Sequence, residues 1–261
     1  MKIAICVKEV PDPAAPRRLD PDSGRLVRTA DTTVNPYDRH AIEAAVQLRE
    51  GPAAGAELTV VTMAPAGATR TVDKALAQGG DRSVHLADEA LAGSDLMATS
   101  YALAELLRRD AYDLVLFGQS ASDSECYVLP MAVAERLERP CVTQVASLEL
   151  ADGRLRVRRQ VETGYETLEL PLPALLSVAD TLNDPRYATL PAIMGAKRKP
   201  HELLSAADVG LDPGRIGQGG SRTAVRAVSA PPARGEGVRI EDAGDAAERI
   251  LQFLIERRLV A

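Results

Sequence analysis

The sequence predicts a doubly wound α/β domain with a mostly parallel sheet, an appended β-hairpin and a long C-terminal arm ending in a helix. Three observations carry this. Short apolar runs alternate with helical patterns through the first 140 residues, a spacing that implies right-handed crossovers between parallel strands. Apolar residues make up 46% of the 261, yet aromatics are only 3% and Trp is absent, so the core is left to Ala, Val, Leu and Ile, as in parallel strands covered on both faces. Beyond residue 140 the pattern becomes an alternation of apolar and polar residues, and from about Asn183 it gives way to an arm with scattered Pro and Gly.

The elements follow in order. "KIAICV" (2–7) is the first strand, followed by a helix near 36–50, where Asn35-Pro36 sets a capping residue before a proline and Asp38 falls in the positive first turn. "LTVVTMA" (58–64) is the second strand and 68–78 the second helix, with Gly79-Gly80 expected to end it in a left-handed stop. "SVHLA" (83–87), a helix near 94–109, "DLVLFG" (113–118) and a helix near 128–138 complete the alternation. Asp152-Gly153 marks the turn of a hairpin at about 143–172, and one more buried strand follows. These elements place an α/β nucleotide-binding-like domain over 1–182 and a recognition segment and arm over 183–261. The arm includes the flexible stretches 214–223 and 230–237 and closes in an amphipathic helix over 242–258.

Composition excludes several functions. Thirty-one basic against thirty-seven acidic residues give a net charge of -6, which argues against nucleic acid or an anionic membrane as a general partner. No run of eighteen apolar residues is present, so no membrane insertion is expected. Three Cys without C-x-x-C spacing, and an opening strand with no leader before it, point to a reduced, cytoplasmic setting. His40, His85 and His201 have no ligand-spaced neighbours, so neither a metal nor a nucleophile–base pair is predicted. Neither G-x-G-x-x-G nor a Walker motif occurs.

Ligands of an open parallel sheet bind beyond the carboxyl ends of its strands. There "VKEVPDP", "VNPYD", "TMAPAGAT" and "FGQSASDSECYVLP" should meet. The last carries Gly118, Ser120, Ser122, Asp123, Ser124 and Glu125 ahead of a helix start. It reads either as a phosphate-binding loop or as a polar capping loop, since Ser and Asp serve both roles. "RYATLPAIMGAKRK" (186–199) is unlike a strand or a good helix, and its apolar residues beside a basic run suit a docking element.

Together these segments resemble the β subunit of electron-transferring flavoprotein over nearly the whole chain. "CVKEVPD", "VNPYDRHAIEAAVQLRE", "KALAQGGDRSVHL" and above all "NDPRYATLPAIMGAKRK" carry the likeness. The hairpin adds the pattern of Arg159, Glu162, Glu166, Leu168 and Pro173, departing from it at Thr163 and Ser177. The resemblance implies a heterodimer with an α subunit that carries most of a working FAD, shared at the interface, where Tyr37 would lie against the flavin. Pro13 stands where some members have a tyrosine. It implies electron passage from a flavin dehydrogenase to a downstream acceptor, with Leu190 as the dehydrogenase anchor. Tyr187, Pro191, Ile193 and Met194 would shield that anchor, and Lys197 and Arg198 would steer it.

The resemblance further implies a β pocket lined by Cys6, Asn35, Met63, Gly118, Asp123, Cys126, Tyr127, Val128 and Leu129. In the family it holds AMP, or a second FAD in bifurcating members. Here Tyr127 to Pro130 replace a run of polar side chains and glycine, and Pro130 removes an N–H from the helix start, which favours AMP over FAD and leaves an empty or purely structural pocket open. A regulatory nucleotide-binding module of the same fold would end near residue 150 and lack the later segments.

Overall fold

The computed structural model describes residues 1–28, 31–229, 232, 237, 239 and 241–260. Its first compact unit, Met1–Arg226, is built on β1 (Lys2–Cys6), a two-stranded ribbon of β2 (Glu9–Pro11) and β3 (Thr32–Val34), α1 (Pro36–Glu50), β4 (Glu57–Met63), α2 (Thr69–Gln78), β5 (Arg82–Leu86), α3 (Leu96–Arg108), β6 (Leu114–Gly118) and α4 (Leu129–Leu137). β7 (Cys141–Ala151), β8 (Arg154–Val161), β9 (Gly164–Pro171) and β10 (Ala174–Val178) follow, then α5 (Leu190–Ala196), β11 (His201–Leu204), α6 (Ala206–Val209) and α7 (Gly217–Gly220).

The main sheet runs β11-β5-β4-β1-β6-β10-β7-β8-β9. It is parallel from β11 to β7 and antiparallel from β7 to β9. The order reverses at β1: the chain builds outward through β4 and β5, then returns to place β6 on the other side. Period-two alternation divides β1 between two cores. Ile3 and Ile5 join α1 and α2 on one face, while Ala4 and Cys6 join α3 and α4 on the other.

Several expectations are corrected by packing. The predicted hairpin is a three-stranded meander, with a second turn at Glu162-Thr163, and the following strand β10 inserts between β6 and β7. Asp152 and Gly153 have φ of 52° and 71°, the paired positive values of a tight type I′ turn. Gly79 ends α2, but its φ of 165° is extended. Glycine is required there because a Cβ would collide with Val46 of α1.

The segment 186–199 is likewise not irregular. α5 is capped by Thr189, whose Oγ1 accepts from the N–H of Ala192, and Pro191 sits in its first turn. Tertiary anchors make so short a helix stable. Arg186 donates to Glu43 and Glu50 of α1, with N–O distances of 2.6–3.2 Å. Asn183 and His40 exchange further bonds. At the other end Lys199 donates to Leu76 O in the last turn of α2 at 2.8 Å and to Gly80 O just beyond it at 2.6 Å. Lys199, read from sequence as part of a basic run, is therefore a half-buried helix stop, and burial holds its ammonium below the usual lysine range.

β11 pairs with β5 at the sheet edge, so the first unit continues to Arg226 rather than ending near residue 182. The second unit, Ala227–Ala261, contains α8 (Ala246–Glu256), with Ile250, Leu251 and Ile255 half-exposed along it. Most of the stretch 230–237 lies outside the described residues. Among the described residues no helix is long and apolar enough to cross a membrane.

Glu43 is only 3% exposed, and although burial pushes its carboxyl up, Arg186 holds it below the usual carboxylate range. Stripping the partner from a buried ion costs about 3–5 kcal/mol. Solvent reaches the 40%-exposed guanidinium, so roughly half of that is expected on Arg186→Ala. A lower urea midpoint together with faster amide exchange over 183–199 is the expected outcome; an unchanged midpoint would remove the ion pair as the anchor. This contribution is present above the ordinary glutamate pKa and is lost as pH falls through the depressed one.

Candidate functional site

At the carboxyl ends of β1, β4 and β6, beside the point where strand order reverses, lies a cavity of 410 Å³. Its wall joins Cys6 at the end of β1 and Lys8 beyond it, Met63 at the end of β4, Ser94 to Leu96 at the start of α3, and Gly118 at the end of β6 with Ser120, Ala121, Ser124, Cys126, Leu129 and Pro130 beyond it. This volume lies within the small-ligand range of about 300–1,000 Å³.

In this wall β6 lies tightly against the first turn of α1. A Cβ on Gly118 would lie 2.6 Å from Asp38 Oδ1 and from the Tyr37 carbonyl carbon, so only glycine fits. Asn35, expected to cap α1 through its side chain, makes no such cap. Its amide instead donates to Asp38 Oδ1 at 2.9 Å and Ser120 O at 2.7 Å, and its Oδ1 accepts from the Ser122 N–H at 3.0 Å. One buried side chain thus ties the loop after β6 to α1.

Two carboxylates set the charge. Asp123 is almost fully buried, and accepts from Lys8 Nζ at 2.7 Å and Arg28 Nη2 at 2.6 Å. Burial pushes its carboxyl up, but these two cations outweigh that and leave it below the usual range. Asp123 thereby holds both cations at the cavity with one net positive charge left over. Asp38 behaves oppositely: burial pushes it up to about 7, against hydrogen bonds from Asn35, Lys8 N–H and Gly118 N–H. Burial, with Asp38 beside it, also holds the Cys6 thiol well above the usual range.

Further polar groups remain unused. The buried Oγ of Ser120, on the cavity wall, has no hydrogen-bond partner. At the start of α4 the N–H groups of Leu129 and Met131 precede any intrahelical acceptor, and Pro130 has none. Asp95 caps α3 through Met97 N–H and Ala98 N–H, while its other oxygen accepts from the N–H groups of Arg222 and Thr223. That second set straps residues 221–223 along the cavity rim.

The second surface is α5. Its anchored backbone presents Tyr187 at 86%, Leu190 at 77% and Met194 at 72% exposure, with Ile193 and Pro191 exposed beside them, while Ala196 is buried beneath. Lys197 and Arg198 lie exposed at its end. Such a rigid, solvent-facing apolar cluster is a poor fit to an isolated soluble surface and a good fit to an interface.

The electron transfer flavoprotein domain matches residues 23–209. The chain is also 33% identical over 263 residues to the electron transfer flavoprotein subunit beta of Mycobacterium bovis, covering 99% of each. It belongs to the electron transfer flavoprotein β-subunit family. It is similar, at 38% identity over 243 residues and 92% of each chain, to the caffeyl-CoA reductase–Etf complex subunit CarD of Acetobacterium woodii. Electron transfer flavoprotein subunit beta of Megasphaera elsdenii is 31% identical over 272 residues, with both chains fully covered.

Of the pocket residues this family resemblance implied, Cys6, Asn35, Met63, Gly118, Cys126 and Leu129 line the cavity. Tyr37 is half-buried in the first turn of α1, outside the lining, with its backbone against Gly118. Tyr127 and Val128 are exposed, and Asp123 acts through Lys8 and Arg28 rather than on the wall itself. Lys8 and Asp38 join the site although the sequence did not single them out for the pocket, while Ser120 comes from the loop after β6 already read as a phosphate-binding candidate. Lys8 and Asp38 belong to the segments "VKEVPDP" and "VNPYD" placed here, but Arg28 comes from a loop with no signal of its own.

A carboxyl whose folded pKa lies near 7, against about 3.9 when unfolded, favours the fold most below the lower value and loses that contribution as pH rises through the upper one. Asp38→Asn is therefore expected to narrow the gap between thermal midpoints at about pH 5 and about pH 8; an unchanged gap would mean that Asp38 is ionised throughout. Gly118→Ala is expected to cost about 1–3 kcal/mol in chemical unfolding, the usual range for overpacking against a fixed backbone.

Proposed function

We propose that this chain is the β subunit of a heterodimeric electron transfer flavoprotein that docks a flavin dehydrogenase through α5, with Leu190 as the anchor. The observation that carries the reading is the exposure of Leu190 on a helix held at both ends by Arg186 and Lys199. An anchor already fixed in its bound conformation loses little entropy on docking, and a central apolar side chain can dominate such an interface. The FAD, held mainly by the α subunit and shared at the interface, supplies the redox chemistry, and no bond-making residue is needed here. The Acetobacterium woodii relative is named for a caffeyl-CoA reductase–Etf complex, which supports a CoA-ester redox enzyme as a partner. The downstream acceptor is a separate protein, and the setting is the cytoplasm.

The cavity fits AMP. Its 410 Å³ suits one mononucleotide better than a dinucleotide. Ser120 Oγ and the N–H groups of Leu129 and Met131 would donate to phosphate, Lys8 and Arg28 would offset its charge, and Gly118 would admit close approach. The nucleotide would bind and stiffen the loop after β6, outside the redox path. The loss of one N–H at Pro130 weakens this grip without removing it.

Leu190→Ala is expected to slow reduction of the heterodimer by its dehydrogenase about tenfold or more while leaving the flavin spectrum unchanged. An unaffected rate would sink the docking assignment. Nucleotide released by acid from the copurified heterodimer should comprise one FAD and one AMP. Two FAD would favour a bifurcating subunit, and absence of a flavin-bearing partner would revive the regulatory-module reading.

A further inference from the structure

Beside α5 the chain leaves a groove of 790 Å³, larger than the cavity at the strand ends and separate from it. One wall is Tyr187, Ala188, Ile193 and Lys197; the other is the outer face of α2 from Thr69 to Gln78, with Val34 and Arg39 completing it. Its exposed lining is mostly apolar. The polar part is strongly one-signed: Arg39, Arg70, Lys74 and Lys197 face the groove, against Asp73 alone. Arg186 also borders it, but Glu43 and Glu50 already neutralise that side chain.

The other four cations are unspent. Among the described residues none of them forms an ion pair. Arg39 lies over the Tyr187 ring at 5.6 Å, and Lys74 reaches only the Thr33 hydroxyl at 3.3 Å. The chain as a whole carries -6, so this groove opposes the sign of its own protein. A cationic concavity on an acidic molecule selects an acidic partner and repels a second copy of itself, because a two-fold contact would set one basic groove against another.

The groove is also continuous with the docking helix. Tyr187, Ile193 and Lys197 belong to both surfaces, so a protein that covers Leu190 reaches the groove without further movement. We propose that the groove is the second half of the docking surface. It receives an acidic amphipathic segment of the same dehydrogenase, with an apolar side chain between Val34, Ala77 and Ile193 and carboxylates against Arg70, Lys74 and Lys197. This rests on the reading of α5 as the dehydrogenase contact. It adds a chemical requirement: the partner must present acid beside the pocket that takes Leu190, and the contact must depend on salt, whereas the apolar anchor by itself does not.

The test uses the intact heterodimer and a purified flavin dehydrogenase that reduces it. Arg70 and Lys74 are exposed on α2, so the double reversal Arg70→Glu, Lys74→Glu leaves the core untouched, and circular dichroism checks the fold. The expected result is a fall of about tenfold or more in the bimolecular rate of flavin reduction at about 50 mM salt, closing toward the unaltered protein at about 500 mM. The exchange Arg70→Lys, Lys74→Arg should keep the rate, and Leu190→Ala should stay slow at both salt levels. If the reversal leaves the rate unchanged while Leu190→Ala slows it, the groove proposal falls and the docking helix stands. If neither substitution matters, both fall together. Should the reversal instead split a larger assembly in sedimentation, with no change in reduction rate, the groove is a contact between copies and the proposal is overturned.

Discussion

The first turn of α1 lies against the end of β6 with no room for a side chain between them, and both the cavity and the α5 surface depend on that contact. Gly118 permits it, Asn35 bridges it, and Asp38 accepts hydrogen bonds across it. Because α1 is thereby fixed relative to the strand ends, the loop from Ser120 to Ser124 can be held open beside a cavity instead of collapsing into it. The same helix, about one and three turns further on, offers Glu43 and Glu50 to Arg186. A single helix therefore registers the cavity at one end of the sheet and α5 along its flank.

The two surfaces are built by different physics. The cavity is a place of buried charge, where Asp123 positions two cations by direct pairing and Asp38 is disfavoured as an ion by desolvation. α5 is a place of exposed apolar area, whose stability comes from below. Ala196 packs on α2, Lys199 closes the open carbonyls of that helix, and Arg186 reaches back to α1. Removing apolar surface from the core to display it in solvent is unfavourable unless another protein covers it. Membership in the electron transfer flavoprotein β-subunit family is consistent with that arrangement.

The groove beside α5 follows from the same construction. α5 is raised on its two anchors alongside α2, so a trough remains between them, and the basic residues of α2 line it. The α2 side of that trough is unremarkable in sequence, since Arg70 and Lys74 stand on a solvated helix face where charge is ordinary. Only the approach of a segment more than a hundred residues later turns them into one wall of a concave surface.

Residue order alone settled the alternation of strands and helices, because the periods 3.6 and 2 are written in local apolar spacing. It also settled the turn at Asp152-Gly153, where backbone conformation admits few residues. Through four recognisable segments it settled the family as well. Tertiary structure decided whatever depends on contacts between distant residues. These include the placement of β10 between β6 and β7, the second turn of the meander, the edge strand β11, and the conversion of 190–196 from an irregular-looking run into an anchored helix. Arg28 at the cavity and Lys199 under α2 were invisible for the same reason: an ion pair or a helix stop made across a hundred residues leaves no periodic trace in the chain that makes it.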